Sequence, residues 1–274
     1  MKLAGHTMGT PGLTLSEAMR LFREIGFDGI EIRCAENGQI NPEKINEQQI
    51  REIMEEKESL GLDVACLTPY YRDFVSPKKR DREIEGFKRV IQIASKLNCE
   101  RVRVYGGVWP YPYVSRKKVW LMTIKAVREL CTYAGEHGVY ICIENHPGTL
   151  TETATQTVMF IEQVNSDFLK ILYDQANIDS AQGEKFQEAI SLQKKYIFHV
   201  HVKDQTFING KREPRLLGKG EMNWKAIIDA LKNIGYREYL SDEYEKYWHP
   251  QLLPEPAIGM EKNLNYLKEI LYRN

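Results

Sequence analysis

Residues 139–148, VYICIENHPG, pass from an apolar alternating run into Glu144, Asn145 and His146 and then break at Pro147 and Gly148. Such a run reads as a buried β-strand that delivers polar groups at its C-terminal end. Side chains two apart share a face, so Cys142, Glu144 and His146 point one way while Ile141 and Ile143 point the other. A carboxylate on the inward face is costly unless a charge meets it. A structural ion pair at the strand end is one answer; the other requires partners from elsewhere in the chain.

The same pattern repeats on both sides of this strand. Upstream, Lys2 to His6 reads as a strand, and Thr14 with Glu17 three residues later has capping-box spacing for a helix that ends at Gly26. GIEIRC (29–34) alternates, and a charged amphipathic helix follows over about 46–60, closed by Gly61. Residues 62–69 form a third strand with a long helix to about Leu97. RVRVYGG (101–107) forms a fourth strand, with its helix over about 116–137. Downstream come a helix near 155–164, a strand at 169–174, a weaker helix near 184–192 and YIFHVHVKD (196–204), in which His199, His201 and Lys203 share a face. A polar loop containing Gly210, Gly218 and Gly220 leads to a helix at 224–234, a strand at 237–243 and a last helix from about Gly259 to Tyr272. Eight strand-then-helix units in 274 residues predict one (β/α)₈ barrel over residues 1–274. A doubly wound sheet would place a glycine-rich G-x-G-x-x-G turn after the first strand, which His6 to Gly12 lacks.

Composition narrows the function. Lys plus Arg and Asp plus Glu each count 38, so no net field draws nucleic acid or an anionic membrane. The five cysteines lack paired metal spacing and read as reduced core thiols. MKLAGHTMGT carries no apolar signal segment, and no run reaches the ~18 apolar residues of a membrane span. The expectation is a cytosolic protein.

Barrel chemistry sits at the C-terminal ends of the strands. The polar residues there are His6, Glu31, Arg33, Tyr70, Tyr105, Glu144, His146, Asp174, Asn177, His201, Lys203 and Glu243. Glu144, Asp174, His201 and Glu243 come from strands five to eight in succession. Converging carboxylates raise one another's pKa unless a cation intervenes. Oxygen-rich ligation with one histidine suits Mn²⁺ first, then Mg²⁺ or Co²⁺, and also accommodates Zn²⁺. Pairing of the acids with Arg33, Arg103 and Lys203 around the rim is the alternative. His199, one layer deeper than His201, reads as a satisfied core histidine, and His137 and His249 as loop or surface residues.

GFDGIEI at strand two, IEN at five, LYDQAN at six, HVHVKD at seven and SDEYE at eight resemble the sugar phosphate isomerase/epimerase superfamily of xylose isomerase-like barrels over essentially the whole chain. The resemblance implies one divalent metal ion on Glu144, Asp174, His201 and Glu243, which binds neighbouring sugar oxygens and stabilises an enediolate. It further implies Glu144 and Glu243 as the residues that remove and return the proton, with His6, Glu31, Tyr105, Asn177 and Lys203 as substrate contacts. Three positions depart from the ketose 3-epimerase pattern: Leu150, Asn177 and Phe207 stand where that branch has an acid, a histidine and an arginine. These departures argue against a free ketohexose. Lys203, Lys211, Arg212, Arg215 and Lys219 could bind a phosphate or carboxylate, or simply face solvent.

His146 also matches the base of bacterial C-glycoside deglycosidases, a lyase branch acting on 3-oxo-glucosides, which would bring a small partner subunit. Tyr70, Tyr71, Trp109, Tyr111, Tyr113, Tyr247 and Trp248 could stack on an aglycone or sugar face, or lie at a subunit contact. The aromatic, proline-rich segment from Tyr244 to Pro256 could cover the mouth or support a homo-oligomer. Endonuclease IV-like repair enzymes need many histidine ligands and a basic surface, so six histidines and zero net charge argue against that class. A non-catalytic sugar-sensing module is the remaining rival. A small-molecule sugar, with no nucleic acid and no membrane, is the expected partner.

Overall fold

A computed structural model describes residues 1–272; the last two of the expected 1–274 span lie outside the described residues. Among the described residues ten strands form: β1 (Lys2–His6), β2 (Gly29–Cys34), β3 (Asp63–Pro69), β4 (Arg101–Val104), β5 (Tyr140–Glu144), β6 (Leu169–Tyr173), β7 (Ile197–Val202), β8 (Asp204–Ile208), β9 (Lys211–Arg215) and β10 (Tyr239–Asp242). Eight of them close in the order β1-β10-β7-β6-β5-β4-β3-β2, while β8 and β9 form a separate two-stranded sheet. Every barrel pairing is parallel. This is the expected (β/α)₈ architecture.

The surrounding helices are α1 (Leu15–Ile25), α2 (Glu47–Leu60), α3 (Arg80–Lys96), α4 (Arg116–Glu136), α5 (Ala154–Val164), α6 (Gln175–Ser180), α7 (Phe186–Gln193), α8 (Trp224–Asn233) and α9 (Pro256–Tyr272). Local signals set their ends. Thr14 and Glu17 form a reciprocal capping box, Asn46 and Gln49 form another, and Gly26 ends α1 in the left-handed region at φ 97°. The core between barrel and helices is continuous and apolar, with Phe22, Phe87, Phe160 and Trp224 fully buried.

Three elements depart from expectation. The polar loop after β7 is an antiparallel hairpin, β8 to β9, with Ile208 paired to Lys211. Its turn is Asn209–Gly210, both at positive φ (51° and 74°), the sequence signature of a two-residue hairpin. Asp174 caps α6 by accepting the Asn177 N–H at 2.9 Å, a short helix that the sequence reading did not include. The fourth strand also stops at Val104 rather than continuing to Gly107, because the Gly106 carbonyl turns to the Leu150 N–H.

Candidate metal centre

Glu144 ends β5, Asp174 follows β6, His201 lies on β7, and Glu243 follows β10 with its N–H on the Val202 carbonyl. The barrel closure makes those strands one contiguous arc. Ligand atoms of all four lie within 4.8 Å of one another, and all four residues are buried.

His201 fixes the chemistry of the cluster. Its Nε2–H donates to Glu31 Oε1 at 2.8 Å, so Nδ1 is the nitrogen left to hold a proton or to ligate an ion. That Nδ1 lies 3.4 Å from Glu243, 3.6 Å from Glu144 and 3.9 Å from Asp174, with no hydrogen-bond partner. Burial works against charge on this ring, but Glu31 and Glu243 outweigh it and raise its pKa well above the ordinary range. Facing three carboxylate groups, Nδ1 holds a proton when no ion is present, and a divalent cation would take that proton's place.

The rim-pairing alternative holds in part. Arg103 donates to Glu144 at 2.8 Å and to the Pro69 carbonyl at 2.8 Å, with its guanidinium 3.8 Å over the Tyr105 ring. Burial raises the pKa of Glu144, yet Arg103 and then His201 outweigh it and bring it down to about 2. Lys203 donates to Glu243 at 2.6 Å and lies 2.9 Å from Asp174 Oδ2 without hydrogen-bond alignment. Burial, opposed by Lys203, lifts Asp174 to about 6, whereas Lys203 and His201 overcome burial to hold Glu243 well below its ordinary value. Arg33 takes no part: it bonds Asn37 and stacks 4.1 Å from the Tyr247 ring centroid. Counting the buried charges, with Glu245 offset by Arg212, Glu31, Glu144, Asp174 and Glu243 are met by Arg103 and Lys203. With His201 deprotonated, as a metal ligand must be, two negative charges remain, which the two positive charges of one divalent ion would match. The donor set of three carboxylates and one imidazole therefore fits a divalent-metal site.

Above the cluster opens a cavity of about 360 Å³, reached by Tyr105, His146, Asn177, Lys203 and Glu243. His146 Nδ1–H donates to the Pro147 carbonyl at 2.7 Å, which leaves Nε2 with its lone pair, and burial lowers its pKa. His6 and Glu31, expected as substrate contacts, do not line this cavity. His6 accepts the Met8 N–H at Nδ1 and contacts Thr68 through Nε2 at 3.0 Å, a closed circuit that burial keeps neutral with a pKa of about 4. Glu31 is fully buried beneath the cluster and bonds His199 and His201. His199 is buried and bonded to Glu31 through Nε2, as a core histidine would be, but its Nδ1 has no hydrogen-bond partner. A larger groove, about 510 Å³, lies outside the barrel between α1 and α2 and contains none of these groups.

Of the seven aromatics, Tyr70 and Trp248 line the cavity, while Trp109 and Tyr111 pack against Val75, Val119 and Leu150. Arg212 bonds Gln205 and Glu245, and Arg215 bonds Glu213, so these loop cations are neutralised within the chain. Met8, Arg72, Ser180 and Glu245 line the cavity but were not singled out in the sequence. Glu245 continues the spacing of Glu243 two residues on, a legible signal, whereas nothing around Arg72 marks it as a wall residue. Glu245, Trp248 and His249 bring the Tyr244–Pro256 segment over the mouth of its own barrel. All five cysteines are free and buried. Among the described residues no helix is long and apolar enough to cross a membrane.

Comparison with known proteins agrees with this architecture. An inosose isomerase of Bacillus velezensis is 25% identical over 260 residues, covering 90% of this chain and 89% of its own. A D-psicose 3-epimerase of Enterocloster bolteae is 24% identical over 227 residues, covering 78% and 71%. Among solved structures, the IOLI protein with a bound zinc atom superposes with a TM-score of 0.84 at 20% identity, covering 99% of this chain and 98% of that one. Residues 19–270 match the xylose isomerase-like TIM barrel family, and the chain belongs to it.

Proposed function

We propose that this protein is a divalent-metal-dependent sugar isomerase or epimerase that transfers a proton at carbon next to a carbonyl. The observation that carries the reading is the buried cluster of Glu144, Asp174, His201 and Glu243 opening onto a polar cavity. An ion held by these four residues, Mn²⁺ by preference for the oxygen-rich set, supplies Lewis acidity toward a carbonyl and its neighbouring hydroxyl. Glu144 and Glu243 are the proton carriers. Arg103 and Lys203 keep them ionised, the state in which a carboxylate accepts a proton. Asn177, which donates to Glu144 at 3.2 Å, and Tyr105 orient a substrate hydroxyl from the cavity wall. The family relatives named for inosose isomerisation and D-psicose epimerisation support a small polyhydroxylated carbonyl substrate.

A second reading rests on His146, whose cavity-side nitrogen is unprotonated and whose ring is held edge-on to Tyr105 at 4.8 Å. As the base of a C-glycoside lyase it would start elimination on a 3-oxo-glucoside. The two readings separate in heavy water with free ketoses, sugar phosphates and 3-oxo-C-glucosides. The isomerase reading expects deuterium in recovered sugar, loss of turnover in Glu243→Gln with metal retained, and measurable activity in His146→Ala. Aglycone release that vanishes in His146→Ala, where removing a general base costs about 10²–10⁴ in rate, would establish the lyase instead. Elemental analysis of protein purified without chelator, beside Asp174→Ala, tests the metal itself; undiminished content in the variant would remove the assignment.

A further inference from the structure

Glu31 is a carboxylate in an unusual position: fully buried, with neither lysine nor arginine among its hydrogen-bond and ion-pair partners. Its Oε1 accepts from His201 Nε2 at 2.8 Å and its Oε2 from His199 Nε2 at 2.9 Å. Both oxygens are thereby taken, and the carboxylate plane is fixed by two imidazoles from one strand. His6 Nε2 approaches to 3.8 Å but contacts Thr68 at 3.0 Å, so it adds no direct bond. A buried carboxylate keeps most of its desolvation cost unless a positive charge answers it through its hydrogen-bond partners. That charge comes through the His201 ring, whose Nδ1 faces Glu144, Asp174 and Glu243 without a hydrogen-bond partner and holds a proton or, in its place, a divalent ion.

We propose that Glu31 is a positioning residue for the metal centre: through the His201 ring it sets the tautomer, orientation and basicity of the Nδ1 ligand and contributes its charge to holding a divalent ion. This rests on the metal-centre reading above and assigns Glu31, on strand β2, to an arc otherwise built from β5, β6, β7 and β10. The charge balance supports it. Without Glu31 the buried cluster would be one negative charge short of what a divalent ion neutralises. His199 is the second anchor, which stops the carboxylate from rotating away from His201. Carboxylate partners of ligand histidines affect metal affinity by about 10–100-fold.

The test is Co²⁺ binding, read by visible absorption and by competition with a chelator, in wild type, Glu31→Gln, Glu31→Asp and His199→Gln. Glu31→Gln is expected to lower Co²⁺ affinity by about 10–100-fold and to shift the Co²⁺ bands. Glu31→Asp, which keeps the charge on a shorter reach, should recover part of the loss, and His199→Gln should lose less than Glu31→Gln. A folded Glu31→Gln protein with wild-type affinity and spectrum overturns the proposal while leaving the metal centre standing. Wild type that binds no Co²⁺ overturns the metal centre itself. Should Glu31→Gln fail to fold, ¹⁵N-imidazole spectra of wild type titrated with Zn²⁺ decide: the His201 Nδ1 resonance moves and Nε2 keeps its proton. Metal-induced change confined to Nε2 defeats the assignment.

Discussion

Arg103 shows how one side chain ties three parts of the mouth together. Its guanidinium meets Glu144, the Pro69 carbonyl and the Tyr105 ring, and the residue is 2% exposed. Replacing it with leucine leaves Glu144 buried without its cation, and breaking a buried pair from one side costs about 3–5 kcal/mol. Urea denaturation of Arg103→Leu should show that loss with an unchanged m-value; a cost below about 1 kcal/mol would mean that the pair is solvated. Side-chain alternation placed Arg103 and Tyr105 on one face of their strand, but not which acid the arginine would meet. That depends on barrel closure, which brings residues 41 apart in sequence within 2.8 Å. The same limit explains Glu31. Its position at a strand end suggested a substrate contact, whereas the inward tilt of the barrel sets it one layer below, against two histidines that the linear sequence places about 170 residues away.

At the level of elements, what was legible is what local chemistry decides. The capping boxes at Thr14 and Asn46 and the stop at Gly26 are formed by residues three or fewer positions from the ends they set. The hairpin turn at Asn209–Gly210 was equally local, but its strands, Asp204–Ile208 and Lys211–Arg215, are too polar to show a buried face. Asp204 secures the loop that follows by accepting N–H groups from Gly218, Gly220 and Met222 at 2.9, 3.0 and 3.1 Å. A Cβ at Gly220 would lie 2.2 Å from that carboxylate, so Gly220→Ala should loosen the loop and lower thermal stability; an unchanged Tm would show that the loop shifts freely. Asp242, at the end of β10, makes a different pH prediction. Burial pushes its pKa up to about 8, with the Asn263 amide at 3.0 Å from Oδ1 and 3.2 Å from Oδ2 opposing the rise. Between the ordinary value of 3.8 and about 8 the folded state keeps a proton that the unfolded state has lost, so stability falls as pH rises through that window. Asp242→Asn preserves an acceptor for Asn263 and removes the titration. Its Tm should exceed that of wild type at pH 8 and approach it near pH 4; parallel profiles would refute the shift.

Across the whole molecule, the four candidate ligands occupy neighbouring staves, β5, β6, β7 and β10, so an ion shared by them would tie half the barrel's circumference at one end. Barrel closure alone already satisfies the backbone of these strands, and the cluster therefore adds stability only if the ion is bound. An ion with affinity for the folded state alone stabilises it by about 2.7 kcal/mol at a hundredfold excess over Kd. For a chain of this size that is a rise in Tm of roughly 5–10 °C. Chelator-stripped protein should show this rise on adding Mn²⁺. Asp174→Asn separates binding from folding, because an asparagine Oδ1 can still accept the Asn177 N–H that caps α6 while the second oxygen and the charge are gone. That variant should keep an apo Tm near or above wild type, since it also removes one of the carboxylates that compete for Lys203, and should lose most of the Mn²⁺ response. Equal Tm values for wild type with chelator and with Mn²⁺ would show that the acids are balanced by Arg103 and Lys203 alone, and the rim-pairing account would then replace the metal centre.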